Sequence, residues 1–292
     1  MTSASSGLLT STDPELQASV AVGLEQVEAR LREVVTSSHP LLTETAQHLV
    51  QAGGKRFRPL LTLLAAELGA GVNDDVVDAA VVVELTHLAT LYHDDVMDEA
   101  PVRRGAASAN TRWTNTVAIL TGDYLFARAS DLTAGLGTEA THLQSRTFAR
   151  LVEGQIAETA GPAEGQDPVE HHLKVLADKT ASLISTSARL GALMAGAEAH
   201  VVETVAEYGE VIGTAFQLSD DLIDVLSETE SSGKTPGTDL REGVATLPVL
   251  LVRAGGDTDL AALLDSDLTD DAALAEALRR LRAHPAMDQA RA

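Results

Sequence analysis

The sequence predicts an all-α protein, and three observations carry that reading. Only 3% of the 292 residues are aromatic against a hydrophobic share of 45%, and with abundant Ala and Leu and only 9 Pro the composition suits close-packed helices better than sheet. Apolar residues recur at helical spacing through nearly the whole chain. Strand-like alternation is scarce, and Gly or Pro separates the periodic segments.

In chain order, residues 1–13 are rich in Ser and Thr, carry no Lys or Arg and form no apolar run of signal-peptide length, so they read as a disordered N-terminal tail. Helical periodicity then covers Glu15 to Val35, Leu41 to Ala52, Arg58 to Leu68 and Asp74 to Asp98. Breaks are expected at Gly53-Gly54, Gly69 to Asn73, Pro101 to Gly105, Gly161 to Asp167, Gly233 to Gly243 and Gly255-Gly256. None is a long linker, and no repeat of fixed period occurs, so residues 14–292 read as one all-α domain of roughly ten or more helices. The last segment, Asp271 to Ala292, is amphipathic and has no terminating signal, which leaves a truncated C-terminus open.

Charge and composition exclude several functions. With 43 Asp+Glu, 21 Lys+Arg and a net charge of −22, the chain lacks the positive field that nucleic acid or an anionic bilayer requires. The absence of Cys removes disulfides, thiolate metal sites and cysteine nucleophiles. No run of about 18 uncharged apolar residues occurs. The expected location is the cytoplasm.

The sharpest chemical signal is His93-Asp94-Asp95-Val96-Met97-Asp98-Glu99 at the end of an apolar helix. Four residues turn a helix by about 400°, so Asp94 and Asp98 share a face and repel. Asp220-Asp221-Leu222-Ile223-Asp224 repeats the spacing, again after apolar residues. Six carboxylates on two helices make a poor core but a good cage for hard cations such as Mg²⁺, which prefer oxygen ligands and retain water.

Cations held by carboxylates usually meet a phosphorylated substrate. The few basic residues lie near these clusters: Lys55, Arg56 and Arg58 follow Gly53-Gly54, Arg103-Arg104 follows the first cluster, and Lys234 follows the second. Lys179-Thr180 sits among small and apolar residues. In so acidic a chain this placement suggests recognition of diphosphate oxygens. Gly233-Lys234-Thr235 is no P-loop, since Glu228 stands where the first Gly belongs and no strand precedes it. His171 and His172 are adjacent, hence on different faces, and read as surface residues.

From here the residues resemble the trans-isoprenyl diphosphate synthase, or polyprenyl synthetase, family across roughly positions 40–252. Its marks occur in order: GGKRFRP at 53–59, ELTHLATLYHDDVMDEAPVRRG at 84–105, AILTGD at 118–123, DKTASL at 178–183, AFQLSDDLID at 215–224 and GKTPGTDLREGVATLP at 233–248. The resemblance implies a single-domain all-α bundle around a central cavity, usually a homodimer, with the two acidic clusters near the cavity mouth. It implies Asp94 and Asp98 as ligands of two Mg²⁺ and Asp220 as ligand of a third, with Asp95, Asp221 and Asp224 in support. The allylic diphosphate would meet Arg103, Lys179, Thr180, Gln217 and Lys234, and isopentenyl diphosphate would meet Lys55, Arg56, His87 and Arg104. One departure is Val244, where many relatives carry Lys.

The implied reaction ionises the allylic C–O bond as cations stabilise the departing diphosphate. The double bond of isopentenyl diphosphate then attacks the carbocation, and a proton is lost. Product length is expected to depend on Ala89, with Thr90 and Thr86 nearby; the small residues imply an open floor and a medium- or long-chain all-trans product. The rival readings are a short-chain farnesyl or geranylgeranyl diphosphate synthase, a terpene cyclase, which would not need DDLID or the Lys55–Arg56 pair, and a non-catalytic helical subunit, which would not need either acidic cluster.

Overall fold

The computed structural model describes residues 13–227 and 236–291. The chain is helical almost throughout, and packing groups it into two compact units. The first takes the described residues up to Leu151 together with Ser182–Glu210; the second takes Val152–Ala181 and the described residues from Val211 onward. Two of the three divisions fall inside continuous helices and the third falls between a π-helical turn and the helix that starts at Ser182, so no shift in composition marks them.

The first unit opens with α1, Pro14–Val34. Asp13 caps it by accepting from the amides of Glu15 and Leu16 at 2.9 and 3.3 Å, and Pro14 fills the first helical position, where no amide is needed. Its buried residues, Val20, Gly23, Val27, Leu31 and Val34, follow helical spacing and give one apolar face. Helices α2, Pro40–Gln51, and α3, Phe57–Ala66, follow.

The centre of this unit is α4, Asp74–Met97, which Asn73 caps through the Val76 amide at 2.9 Å. It is buried on nearly every side, from Val76 through Tyr92, which is why its apolar residues show no single stripe. By length and composition this helix could cross a membrane, but 72% of its apolar window is buried inside the protein, as in a core helix. Tyr92 fastens it to α2 by donating to the Thr45 carbonyl and accepting from the Leu49 amide.

After α4 comes a feature absent from the sequence reading, a hairpin of β1, Val102–Arg103, and β2, Ala106–Ala107. Its two-residue turn, Arg104-Gly105, has φ of 52° and 77°, the left-handed pair that matches strand twist. The short α5, Ala109–Arg112, leads to α6, Asn115–Gly135, and α7, Thr138–Ala160. Helix α9, Ser182–Met194, and the first part of α10, Ala199–Leu226, complete the unit.

In the second unit α8, Pro168–Leu176, continues into one turn of π-helix, Ala177–Ala181. The end of α10 precedes helices Thr238–Arg241, Leu247–Gly255, Thr258–Leu264, Asp271–Arg282 and Ala286–Arg291. Leu274, Ala277, Leu278 and Leu281 bury the apolar face expected of the C-terminal segment against Val225, Val249 and Val252. Arg282 donates to the carbonyls of Val225 at 2.7 Å and Ser227 at 3.0 Å, satisfying carbonyls that the end of α10 leaves open.

Candidate active site

In the first unit the carboxylates sit where α4 ends. Asp94 is half-buried, while Asp98 is the C-cap residue with its side chain 61% exposed. Asp95 points inward with 0% exposure and accepts from Arg103 Nε at 2.6 Å. Its other oxygen, Oδ2, is buried without a hydrogen-bond partner. The hairpin decides where its arginines go: Arg103, in the strand, turns back to Asp95 and lies 3.9 Å from Asp98, while Arg104, in the turn, reaches the carbonyls of Gly53 and Leu49.

Arg104 thereby joins a second cluster organised round Glu84, a carboxylate only 2% exposed on α4. Arg56 donates to Glu84 at 2.7 Å, to Glu28 at 2.5 Å and to the Val50 carbonyl at 2.9 Å; Arg104 lies 3.7 Å from Glu84. Burial opposes the charge on Arg56, but Glu84 and Glu28 outweigh it and hold its pKa up. Arg58 has no such compensation. Burial, with Arg104 adding to it and only Glu84 opposing, pushes its pKa down to about 10, and its Nε is buried without a partner. His87 is driven well below its ordinary range by burial and by Arg58, Arg104, Arg56 and Arg103, so it is neutral near pH 7. Gly54 makes room for this cluster: at φ 145° it occupies a conformation side chains rarely adopt, and a Cβ there would lie 2.9 Å from the Arg104 guanidinium.

Three buried or half-buried guanidiniums thus face two carboxylates, and the one without a carboxylate partner is Arg58. Arg56, expected at the isopentenyl diphosphate, has its nitrogens on Glu28, Glu84 and the Val50 carbonyl, whereas Arg58, beside His87, has no carboxylate partner. Lys55 is exposed at the edge of the same loop. The sequence pointed to Arg58 only as part of GGKRFRP, and nothing in it signalled that Glu28 and Glu84 would claim its neighbour.

The second unit gathers Thr180, Gln217 and Asp221. Thr180, in the π turn, donates to Gln217 Oε1 at 3.3 Å, and Gln217 Nε2 donates to Asp221 Oδ1 at 3.3 Å. Such turns often occur at functional sites. Lys179 pairs with Glu158 on α7. Asp220 is half-buried. Asp224 accepts from the Thr238 and Asp239 amides, each at 3.2 Å, so it pins the following short helix. His172, read from sequence as a surface residue, is instead mostly buried, with Nε2 3.5 Å from Asp221 Oδ2. Lys234 lies outside the described residues.

The three chain-length positions differ. Ala89 and Thr86 have 0% exposure, so the open floor expected at Ala89 is not there. Ala89 lies in the core beside α6, where Gly122 packs so close that a Cβ would come 3.1 Å from the Ala89 carbonyl. Thr86 accepts from Gln144 at 2.6 Å. Thr90 alone of the three is partly accessible.

The donor set fits hard divalent cations, since Asp95 holds a buried oxygen with no partner and Asp98 is open to solvent. Among the described residues no three His, Asp or Glu side chains close round one point. A cation such as Mg²⁺ normally takes one or two carboxylates and completes its shell with water and phosphate oxygens.

Comparison with known proteins agrees with this chemistry. The family model for polyprenyl synthetase matches residues 39–281. The chain is 50% identical over 283 residues to nonaprenyl diphosphate synthase of Mycobacterium tuberculosis, covering 96% of this chain and 84% of that one. Its fold is similar to the crystal structure of geranylgeranyl pyrophosphate synthase from Corynebacterium glutamicum complexed with calcium and isoprenyl diphosphate, with TM-score 0.86, 45% identity and coverage of 97% and 87%. It is also similar to a decaprenyl diphosphate synthase from Rhodobacter capsulatus, with TM-score 0.86, 35% identity and coverage of 95% and 87%.

Proposed function

The chain belongs to the polyprenyl synthetase family and is a prenyltransferase of the medium- or long-chain polyprenyl diphosphate synthase type, and we propose that it condenses isopentenyl diphosphate with an allylic diphosphate in a Mg²⁺-dependent reaction. The observation that carries this reading is the uncompensated Arg58 guanidinium beside neutral His87, in the same unit as the carboxylates that end α4.

Lys55, Arg58, His87 and Arg104 hold the diphosphate of the isopentenyl substrate. Binding an anion there offsets the repulsion among the guanidiniums and returns Arg58 toward its ordinary basicity. Arg103, Lys179, Thr180 and Gln217, with Lys234, receive the allylic diphosphate. Asp94, Asp98 and Asp220 would hold Mg²⁺, three ions with substrate bound, supplying charge neutralisation of the leaving diphosphate. Arg103 and Lys179 are bound to Asp95 and Glu158 in this structure. On substrate binding they exchange these partners for phosphate oxygens.

The allylic C–O bond breaks with its electron pair leaving on diphosphate. The terminal carbon of the isopentenyl double bond attacks the cation, and loss of a proton to the released diphosphate restores an allylic product. Apolar surroundings exclude the water that would quench the cation. We place the enzyme in the cytoplasm as a homodimer. Incubation with labelled isopentenyl diphosphate and allylic primers of several lengths, with Mg²⁺ or with a chelator, tests the reading. Products longer than twenty carbons formed only with metal support it; no condensation with any primer refutes it.

A further inference from the structure

One buried contact in the second unit has no part in the scheme above. Asp221 is 6% exposed, and its Oδ2 has no hydrogen-bond partner among the described residues. Facing it at 3.5 Å is His172 Nε2, on α8, also buried and without a hydrogen bond. Two orphaned polar atoms so placed each carry an uncompensated desolvation cost, which a hydrogen bond between them would remove. The other Asp221 oxygen accepts from Gln217, which accepts from Thr180. A single line of polar groups therefore runs from α8 through α10 to the π turn, ending beside Lys179.

We propose that His172 is a positioning residue for the allylic-diphosphate side of the site: it donates from Nε2 to Asp221, fixes that carboxylate, and through Gln217 fixes Thr180. The proposal rests on the condensation reading. His172 touches no substrate. Its effect is on the orientation of the groups that do, so it governs allylic binding and leaves the isopentenyl site, built in the first unit, largely untouched.

The test uses the full chain with Mg²⁺ and measures three quantities: calorimetric binding of an unreactive allylic thiolodiphosphate, the KM for isopentenyl diphosphate, and the melting temperature. His172→Phe keeps a planar aromatic ring, somewhat larger, and removes both nitrogens. It is expected to weaken analogue binding about 10- to 100-fold while moving the isopentenyl KM less than about threefold. His172→Gln places an amide donor near the Nε2 position and is expected to recover most of the affinity. Unchanged analogue binding in His172→Phe, or no recovery in His172→Gln, overturns the proposal. Should His172→Phe fail to fold, His172→Gln is compared with His172→Asn, whose amide falls one carbon short; equal affinities overturn it. A parent that binds the analogue but condenses nothing defeats the condensation reading and leaves the calorimetric result on His172 intact. A parent that binds no analogue overturns both.

Discussion

Exchanging Arg56 and Arg58 in turn for Gln should produce opposite outcomes, although the two lie two positions apart at the start of α3. Arg58 sits in a field that opposes its charge: burial and Arg104 bring its pKa down to about 10. At about 1.36 kcal/mol per pH unit, that displacement represents up to about 3 kcal/mol held against folding in the free protein. Arg58→Gln therefore should leave the melting temperature unchanged or raise it. If Arg58 holds the isopentenyl diphosphate, the lost charge-assisted contact should cost about 1.5–3 kcal/mol, raising that substrate's KM about 10- to 150-fold. Arg56→Gln leaves Glu84 buried with only Arg104 at 3.7 Å and leaves Glu28 with Arg32 at 3.4 Å. Breaking a buried pair typically costs about 3–5 kcal/mol, which for a chain of this size lowers the melting temperature by on the order of 10 °C. Thermal unfolding and initial rates against each substrate, on both variants, give the comparison. An Arg56→Gln protein of parental stability with a raised isopentenyl KM, beside an Arg58→Gln protein with parental KM, would refute the assignment.

Three further outcomes are expected. Asp94→Ala and Asp98→Ala should each cut turnover by orders of magnitude with little change in melting temperature, since Asp98 is exposed at the helix end; near-parental turnover at saturating Mg²⁺ would remove them from the metal site. His87 takes up its proton less readily folded than unfolded, so its contribution to stability is present above about pH 6.5 and lost as pH falls below it, at up to about 1.4 kcal/mol per pH unit. The parent should therefore lose stability faster than His87→Gln between pH 6.5 and 5, and parallel curves in chemical denaturation would contradict the burial of a neutral His87. Thr90→Phe should shorten the products at nearly parental stability, whereas Ala89→Phe, overpacking a filled core, should cost about 1–3 kcal/mol; chromatography of the products and melting curves separate the two, and unchanged products from Thr90→Phe would count against it.

Much of the fold was legible because it depends on near neighbours in the chain. The helix starts at Pro14 and Asp74 follow from Asp13 and Asn73, whose side chains reach amides two or three residues on. The acidic clusters were legible for the same reason, since DDxxD puts its carboxylates on one face by helix geometry alone. What the sequence by itself determined is therefore the all-α class, the carboxylate pairs and the family. Only the tertiary structure decided which of these basic residues meets a carboxylate. Glu28 and Glu84 come from two other helices to occupy Arg56, and the Arg104-Gly105 turn swings Arg104 into the same cluster, leaving Arg58 without a carboxylate partner. It also decided that Ala89 faces packed core beside Gly122, and that His172 meets Asp221 forty-nine positions along the chain. Spacing along one helix fixes which residues share a face, but what that face meets depends on elements brought against it from elsewhere, and on charges whose partners are distant in sequence.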